Sequence, residues 1–374
     1  MTTPYDATTS PIAPFPRVSD EAIDDLRQRL QRFRQVPTVR GSAFDGADLG
    51  VSPELVARLV ERWRDGFDWR AEEERLAALP WRATTEAAVP VRAIVAEVPG
   101  APVVLLLHGW PDSVLRFERI LPELSDVTVV APAIPGYPFA APTDGEALPP
   151  TGAADAIAAA MAEFGFERYV ISAGDVGCNV GEALAARHPD AVAALHLTDV
   201  SQQHFLNGVP GDLDEEERAY VDYGMRWQAA EGAYSHEQST RPLTLGVGLG
   251  DSPAGLAAWI VEKLVRWTDS DGELENAFTL DEALTWVSAY WFSGCIGTSF
   301  APYSADDPQS WPRVEAPTVF TVFPRDLVNA PRRFAERFFA IADWRTFEQG
   351  GHFAAWERPD DYLWGVRRAL ELAR

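Results

Sequence analysis

The stretch Tyr169-Val170-Ile171-Ser172-Ala173-Gly174-Asp175-Val176-Gly177 decides how the rest of the chain is read. It opens as an apolar β-type run and stops at a small–small–Asp–x–Gly turn. Residues 178–187, rich in Ala, then read as a helix. Strand, tight turn and helix in that order form a nucleophile elbow. Small residues flank its centre because the turn is strained and the backbone passes close to its neighbours. The central side chain is presented at the carboxyl end of a sheet, and here it is Asp175, neither Ser nor Cys. A carboxylate in that position attacks carbon bearing a good or strained leaving group and leaves an ester on the protein. A lone Gly-Asp-x-Gly also serves as a plain surface turn, so the reading depends on what the rest of the chain supplies.

Residues 103–107 are a continuous aliphatic run, the pattern of a buried parallel strand, and end in His108-Gly109-Trp110-Pro111. Residues 91–96 alternate and predict a strand exposed on one face. Further strand-like runs stand at 127–130, 194–200 and 318–323. Strands separated by helical patterns predict an α/β architecture with a doubly wound, mostly parallel sheet. From 201 to 312 helical segments dominate, including 214–230, 254–267 and 281–292. They predict an inserted helical cap over the carboxyl edge of the sheet. The chain closes with Gly350-Gly351-His352 and a helix over 359–372.

Ahead of the sheet, residues 1–16 read as an extended arm. Ser19 caps a helix with Ile23, Leu26, Leu30 and Phe33 on one face, and Val18 and Ile23 stand at hydrophobic-staple positions. A second helix starts at Ser52-Pro53 and a third spans 69–79. The expected organisation is an N-terminal helical segment wrapping the core (1–90), the first part of the core (91–200), the cap (201–312) and the second part of the core (313–374). Gly246-Val247-Gly248-Leu249-Gly250 is Gly-rich but follows no clear strand, so no phosphate site is expected there.

The 374 residues suit one large α/β domain with insertions, and 47% hydrophobic residues support a full core. A formal charge of −24 argues against nucleic acid or an anionic membrane as partner. Cys178 and Cys295 make neither a disulfide framework nor a metal motif. No secretory leader and no membrane-spanning run is recognised, so a cytoplasmic protein is expected. Thirteen Trp and nineteen Phe point to an aromatic-lined interior or pocket. Trp227, Trp259, Trp267, Trp286, Tyr290 and Trp291 crowd the cap region.

An elbow at Asp175 predicts an acid after a later strand and a His after the last one, in the order nucleophile, acid, His. Asp326 follows the strand at 318–323, and His352 follows residues 344–347 through Gly350-Gly351. An oxyanion hole needs two backbone N–H groups. Val176 supplies one and the loop after 103–107, at Trp110, the other; Pro111 has no N–H to give. An Asp nucleophile leaves two main chemistries: haloalkanes, which need halide-binding donors, and epoxides, which need an acid for the ring oxygen, a task that suits a Tyr phenol. The cap offers Tyr220, Tyr223, Tyr234, Tyr290 and Tyr303, and the residues alone do not choose among them.

Over nearly its whole length the chain resembles the microsomal-type epoxide hydrolases, which include the juvenile hormone epoxide hydrolases. The resemblance rests on Pro16-Arg17-Val18-Ser19 through Trp69, on His108-Gly109-Trp110-Pro111, on Gly174-Asp175-Val176-Gly177 and on Gly350 through Glu357. The cap run Gln238-Ser239-Thr240-Arg241-Pro242-Leu243-Thr244-Leu245-Gly246, followed by residues 251–263, is its most specific part. It implies the α/β-hydrolase fold, Asp175 as nucleophile, Asp326 as the acid and His352 as the base. It also implies Tyr234 and Tyr303 as the two phenols, and Trp110 and Val176 as the oxyanion donors. Three positions depart from the family pattern. Val176 replaces a frequent aromatic residue, Asp326 a frequent Glu, and Asp112 a usual Gly for which the sequence offers no purpose.

The expected function is hydrolysis of a bulky apolar or aromatic epoxide to a vicinal diol through an Asp ester. Epoxide and water are the expected reactants, no cofactor or metal is implied, and a homodimer is compatible. Another hydrolase of the same scaffold, acting in natural-product biosynthesis on an ester, lactone or haloalkane, is the alternative enzyme. A ligand-binding homologue without catalysis is the other alternative.

Overall fold

The computed structural model describes residues 15–37, 39, 49–142, 148–307 and 310–374; most of the arm expected at 1–16 lies outside them. The N-terminal part folds into α1 (Asp20–Gln31), α2 (Pro53–Asp65) and α3 (Trp69–Ala77). As expected, the Ser19 hydroxyl accepts from the Ala22 N–H, Ser52 caps α2 with Pro53 in its first turn, and Val18 and Ile23 are buried. The core then runs through β1 (Trp81–Ala83), β2 (Arg92–Ala96), β3 (Val103–Leu107), β4 (Thr128–Ala133), α4 (Pro150–Glu163), β5 (Tyr169–Ala173), α5 (Val176–Arg187) and β6 (Val192–Leu197).

Seven helices follow before the sheet resumes: α6 (Gln203–Leu206), α7 (Glu215–Glu231), α8 (Ala233–Thr240), α9 (Pro242–Asp251), α10 (Pro253–Arg266), α11 (Leu280–Ser293) and α12 (Ala301–Ser304). The chain ends with β7 (Val314–Val322), α13 (Arg332–Ala335), β8 (Phe339–Thr346), α14 (Ala354–Glu357) and α15 (Pro359–Leu372). The Gly-rich run at 246–250 lies inside α9, so it is not a strand-to-helix phosphate loop.

The sheet has eight strands in the order β1-β2-β4-β3-β5-β6-β7-β8. From β4 across to β8 every neighbouring pair is parallel, while β2 runs antiparallel to both β1 and β4. The elbow strand β5 sits in the middle, between β3 and β6, where its five residues are all buried. Parallel strands share a carboxyl edge, so the turns after β3, β5, β6 and β7 open on one side.

One strand reading is corrected. Strand β2 is not exposed on one face; Arg92, Ala93, Ile94 and Val95 are all buried. It lies between β1 and β4, and Arg92 turns inward to donate to the Phe139 carbonyl at 2.7 Å. A guanidinium satisfied by carbonyls can sit in the interior, which a hydropathy pattern does not reveal. The short β1 was not anticipated; three residues carry too little periodicity to be read.

The N-terminal helices lie against the helical region. Arg29 of α1 pairs with Asp251 at 2.7 Å, Arg62 of α2 with Asp281 at 2.6 Å, and Trp69 packs on Phe292. Among the described residues, no helix is long and apolar enough to cross a membrane.

Candidate active site

The elbow forms as the sequence predicts. Asp175 sits at φ 56°, ψ −132°, between β5 and α5, in a region that residues with side chains rarely adopt. The turn holds because nothing larger than hydrogen fits beside it. A Cβ on Gly177 would run into the carbonyl oxygens of Leu107 and His108, and one on Gly109 into the Asp175 side chain. The Asp175 N–H is fastened by the Asp199 carboxylate, 2.7 Å away.

The residues that the resemblance implies for the site gather around this turn. Asp175, Val176, Tyr234, Tyr303, Asp326 and His352 line one cavity of about 660 Å³. The Trp110 N–H donates to Asp175 Oδ1 at 2.8 Å. Val176 opens α5, where the first N–H groups have no acceptor within the helix. His352 Nδ1 is 2.7 Å from Asp326 Oδ1, while Nε2 lies 3.3 Å from Asp175 Oδ2. That second contact is an ion pair outside hydrogen-bonding geometry, leaving Nε2 without a hydrogen-bond partner among the described residues.

The imidazole stands between two carboxylates. Burial disfavours its charged form, but Asp326 and Asp175 outweigh burial and push His352 up to about 10. His352 therefore holds a proton more tightly folded than unfolded. Its contribution to stability is complete below about pH 6.5 and is lost as pH rises through about 10. Each tenfold change in proton affinity is worth about 1.4 kcal/mol, so the loss is on the order of several kcal/mol. Urea unfolding across pH 6–10 is expected to show the stability gap between the wild type and His352→Gln closing as pH rises. A gap that stays constant would contradict this assignment of charge.

Tyr234 and Tyr303 come from α8 and α12, 69 positions apart in the chain, and their rings meet at 5.9 Å. Their hydroxyls interact with each other. Burial, and then the charge of Asp175 or of the other phenol, raises both above the ordinary phenol range, so both carry protons to donate. Trp110 stacks on Tyr234 at 5.2 Å, and Lys263 Nζ stands 4.8 Å from the centre of the Tyr234 ring. A cation over the ring face favours electron density on the phenol and so helps it part with a proton.

Four supporting residues were not given roles by the sequence. Asp199, two residues past β6, lines the cavity and holds the elbow; burial, with repulsion from Asp326, pushes it up to about 6. Its position just beyond a strand at the carboxyl edge was the available signal. Asp112 proves to be the hub of the loop after β3. Its Oδ1 accepts from the Gly109 N–H at 2.7 Å and its Oδ2 from Arg116 at 2.7 Å, both side chains being fully buried. Arg116 in turn donates to the His352 carbonyl at 2.6 Å, tying the loop after β3 to the His352 loop. Glu357, quoted above only as part of a motif, accepts from the N–H groups of Asp269, Gly351 and Phe353 at 2.7–3.1 Å and so shapes the His352 turn.

Of the two expectations for the aromatic residues, interior or pocket, the interior holds for the cap. None of Trp227, Trp259, Trp267, Trp286, Tyr290 and Trp291 lines the cavity, and Trp267, Trp286 and Tyr290 are core residues. Helices of the cap need their large apolar faces to pack on each other and on the sheet, which leaves smaller and polar residues toward the cavity.

A strand-end Asp facing a His–Asp pair across a parallel sheet edge is an α/β-hydrolase arrangement. Known proteins share this fold. Residues 12–117 match the family described as the epoxide hydrolase N terminus, and residues 102–235 match the alpha/beta hydrolase fold. The chain is 30% identical to epoxide hydrolase 1 of Sus scrofa, over 99% of this chain and 90% of that one. The solved structure of Aspergillus niger epoxide hydrolase is similar at 29% identity and a TM-score of 0.82, over 97% of this chain and 98% of that one. Juvenile hormone epoxide hydrolase from the silkworm Bombyx mori shares the fold at a TM-score of 0.83 and 24% identity, over 95% and 93%. The chain belongs to the epoxide hydrolase family and is an enzyme of that class.

Proposed function

We propose that the enzyme opens a bulky epoxide to a vicinal diol through an ester on Asp175. The observation that carries the reading is the division of labour at the Asp175 carboxylate. Oδ1 is held by the Trp110 amide, while Oδ2 is free of that hydrogen bond and faces the cavity beside His352. Oδ2 attacks a ring carbon, the carbon–oxygen bond breaks, and Tyr234 or Tyr303 delivers a proton to the leaving oxygen.

Ester formation removes one of the two negative charges that hold the His352 proton. The imidazole then releases that proton to the phenolate and becomes a base, oriented by Asp326. It takes a proton from water as the water oxygen bonds to the Asp175 carboxyl carbon. The oxyanion forms on Oδ1, where the Trp110 and Val176 amides face it. Collapse breaks the ester bond, the departing oxygen takes the proton of the newly added hydroxyl and leaves as the second diol hydroxyl, and Asp175 is again ionised with His352 protonated. The volume of about 660 Å³ supports a substrate well beyond the size of a simple alkene oxide.

The test is intact mass of His352→Gln mixed with a panel of aryl and terpenoid epoxides. A gain of one epoxide mass, mapped to the peptide holding Asp175, is expected, because attack needs no base and hydrolysis does. Diol formation by the wild type with no adduct on the variant would rule out the ester route.

A further inference from the structure

We propose that the preferred substrate is an uncharged epoxide whose non-reacting arm carries amide or hydroxyl groups, and that Asn179 and Gln203 recognise that arm. The inference rests on the epoxide reading of the same cavity. Asn179 lies in the first turn of α5, four residues past Asp175, and both line the same cavity. Gln203 opens α6 and lines it too. Neither side-chain amide makes a hydrogen bond to any described residue, although both line the cavity. Beside them Gln228 donates to Gln202 at 2.8 Å, so this wall is built of amides.

A second cavity of about 550 Å³ continues past the same two residues and Tyr303. Its remaining wall includes Asn207, Asp306, Asp307 and Ser310. An alkyl arm laid along this path would strip water from two amides and return nothing, whereas an amide or hydroxyl arm replaces those hydrogen bonds. Charge narrows the class further. Among the described residues, neither cavity is lined by Arg or Lys, while Asp175, Asp199 and Asp326 stand in one and Asp306 and Asp307 in the other. In the first cavity the His352 imidazolium is already paired with Asp175 and Asp326, so a carboxylate-bearing arm meets net negative charge.

The experiment uses three terminal epoxides matched in heavy-atom number, whose arms end in alkyl, primary amide or carboxylate. They are assayed with the wild type and with the double variant Asn179→Leu, Gln203→Met. For the wild type, kcat/KM for the amide is expected to exceed that for the alkyl epoxide about tenfold or more, mostly through KM, with the carboxylate slowest. In the double variant the amide-to-alkyl ratio is expected to fall toward one. A wild-type ratio at or below one overturns the inference and leaves the epoxide reading standing. Absence of turnover for all three, with no adduct on His352→Gln, overturns both. A ratio unchanged in a double variant that melts like the wild type overturns the assignment to Asn179 and Gln203; if that variant does not fold, the wild-type ratio decides.

Discussion

Replacing Asp175 by Ala or Asn is expected to lower kcat/KM for an epoxide by about 10⁴-fold or more, the scale seen when a covalent nucleophile is removed. No neighbouring carboxylate can take over. Asp199 is occupied with the Asp175 N–H, and Asp326 with His352 Nδ1. The Asn variant is the more telling of the two, because its carbonyl can still accept from the Trp110 N–H and its volume keeps the turn filled. Loss of activity in Asn with an unchanged melting temperature would locate the defect in chemistry rather than in folding. Intact mass should show no adduct in either variant, alone or combined with His352→Gln. Diol formation within tenfold of the wild type by a freshly purified variant would exclude Asp175 as the nucleophile.

Arg116→Met is expected to destabilise the fold by about 3–5 kcal/mol, the cost of leaving a buried charge without its partner. That is a large share of the roughly 5–15 kcal/mol that holds a typical domain together. Burial by itself would discourage the Arg116 charge, but Asp112 and then Tyr362 and Asp175 hold it in place, so the guanidinium stays protonated. Met removes the partner of Asp112 Oδ2 and the donor to the His352 carbonyl together. The Asp112 carboxylate would remain in a site with no access to water. Asp112→Asn combined with Arg116→Met is expected to recover part of the loss, since no charge is then left buried. Denaturant unfolding of the two single variants and the double variant measures this coupling. A loss below about 1 kcal/mol in Arg116→Met would show that the pair carries little of the stability.

The positions that the sequence placed well are those whose chemistry is local. The elbow is one: a β-type run, a Gly–Asp–x–Gly turn and an Ala-rich helix are neighbours in the chain, and each part restrains the next. The caps at Ser19 and Ser52 are others, because a hydroxyl accepting from an N–H three residues on needs nothing from elsewhere. Asp326 and His352 were legible by their order after later strands, which the topology of a parallel sheet carries to one edge.

What remained hidden depends on contacts between distant segments. The choice of Tyr234 and Tyr303 among five cap tyrosines could be implied only by resemblance, since nothing near either residue says that its phenol reaches Asp175. Asp112 looked purposeless because its partners include a guanidinium that in turn grips a carbonyl 236 residues away. The tryptophans of the cap could be read as interior or as pocket wall for the opposite reason. Composition reports how much aromatic surface must be buried, but only packing decides whether a cavity or the core receives it. Sequence order and local hydrogen bonding thus determine the elbow, the order in which Asp175, Asp326 and His352 arrive at the sheet edge, and the fold class. The proton inventory of the site, the tie between its two loops and the polarity of its walls arise only when the sheet edge and the cap meet, because electrostatic and packing energies depend on distances that the chain order does not contain.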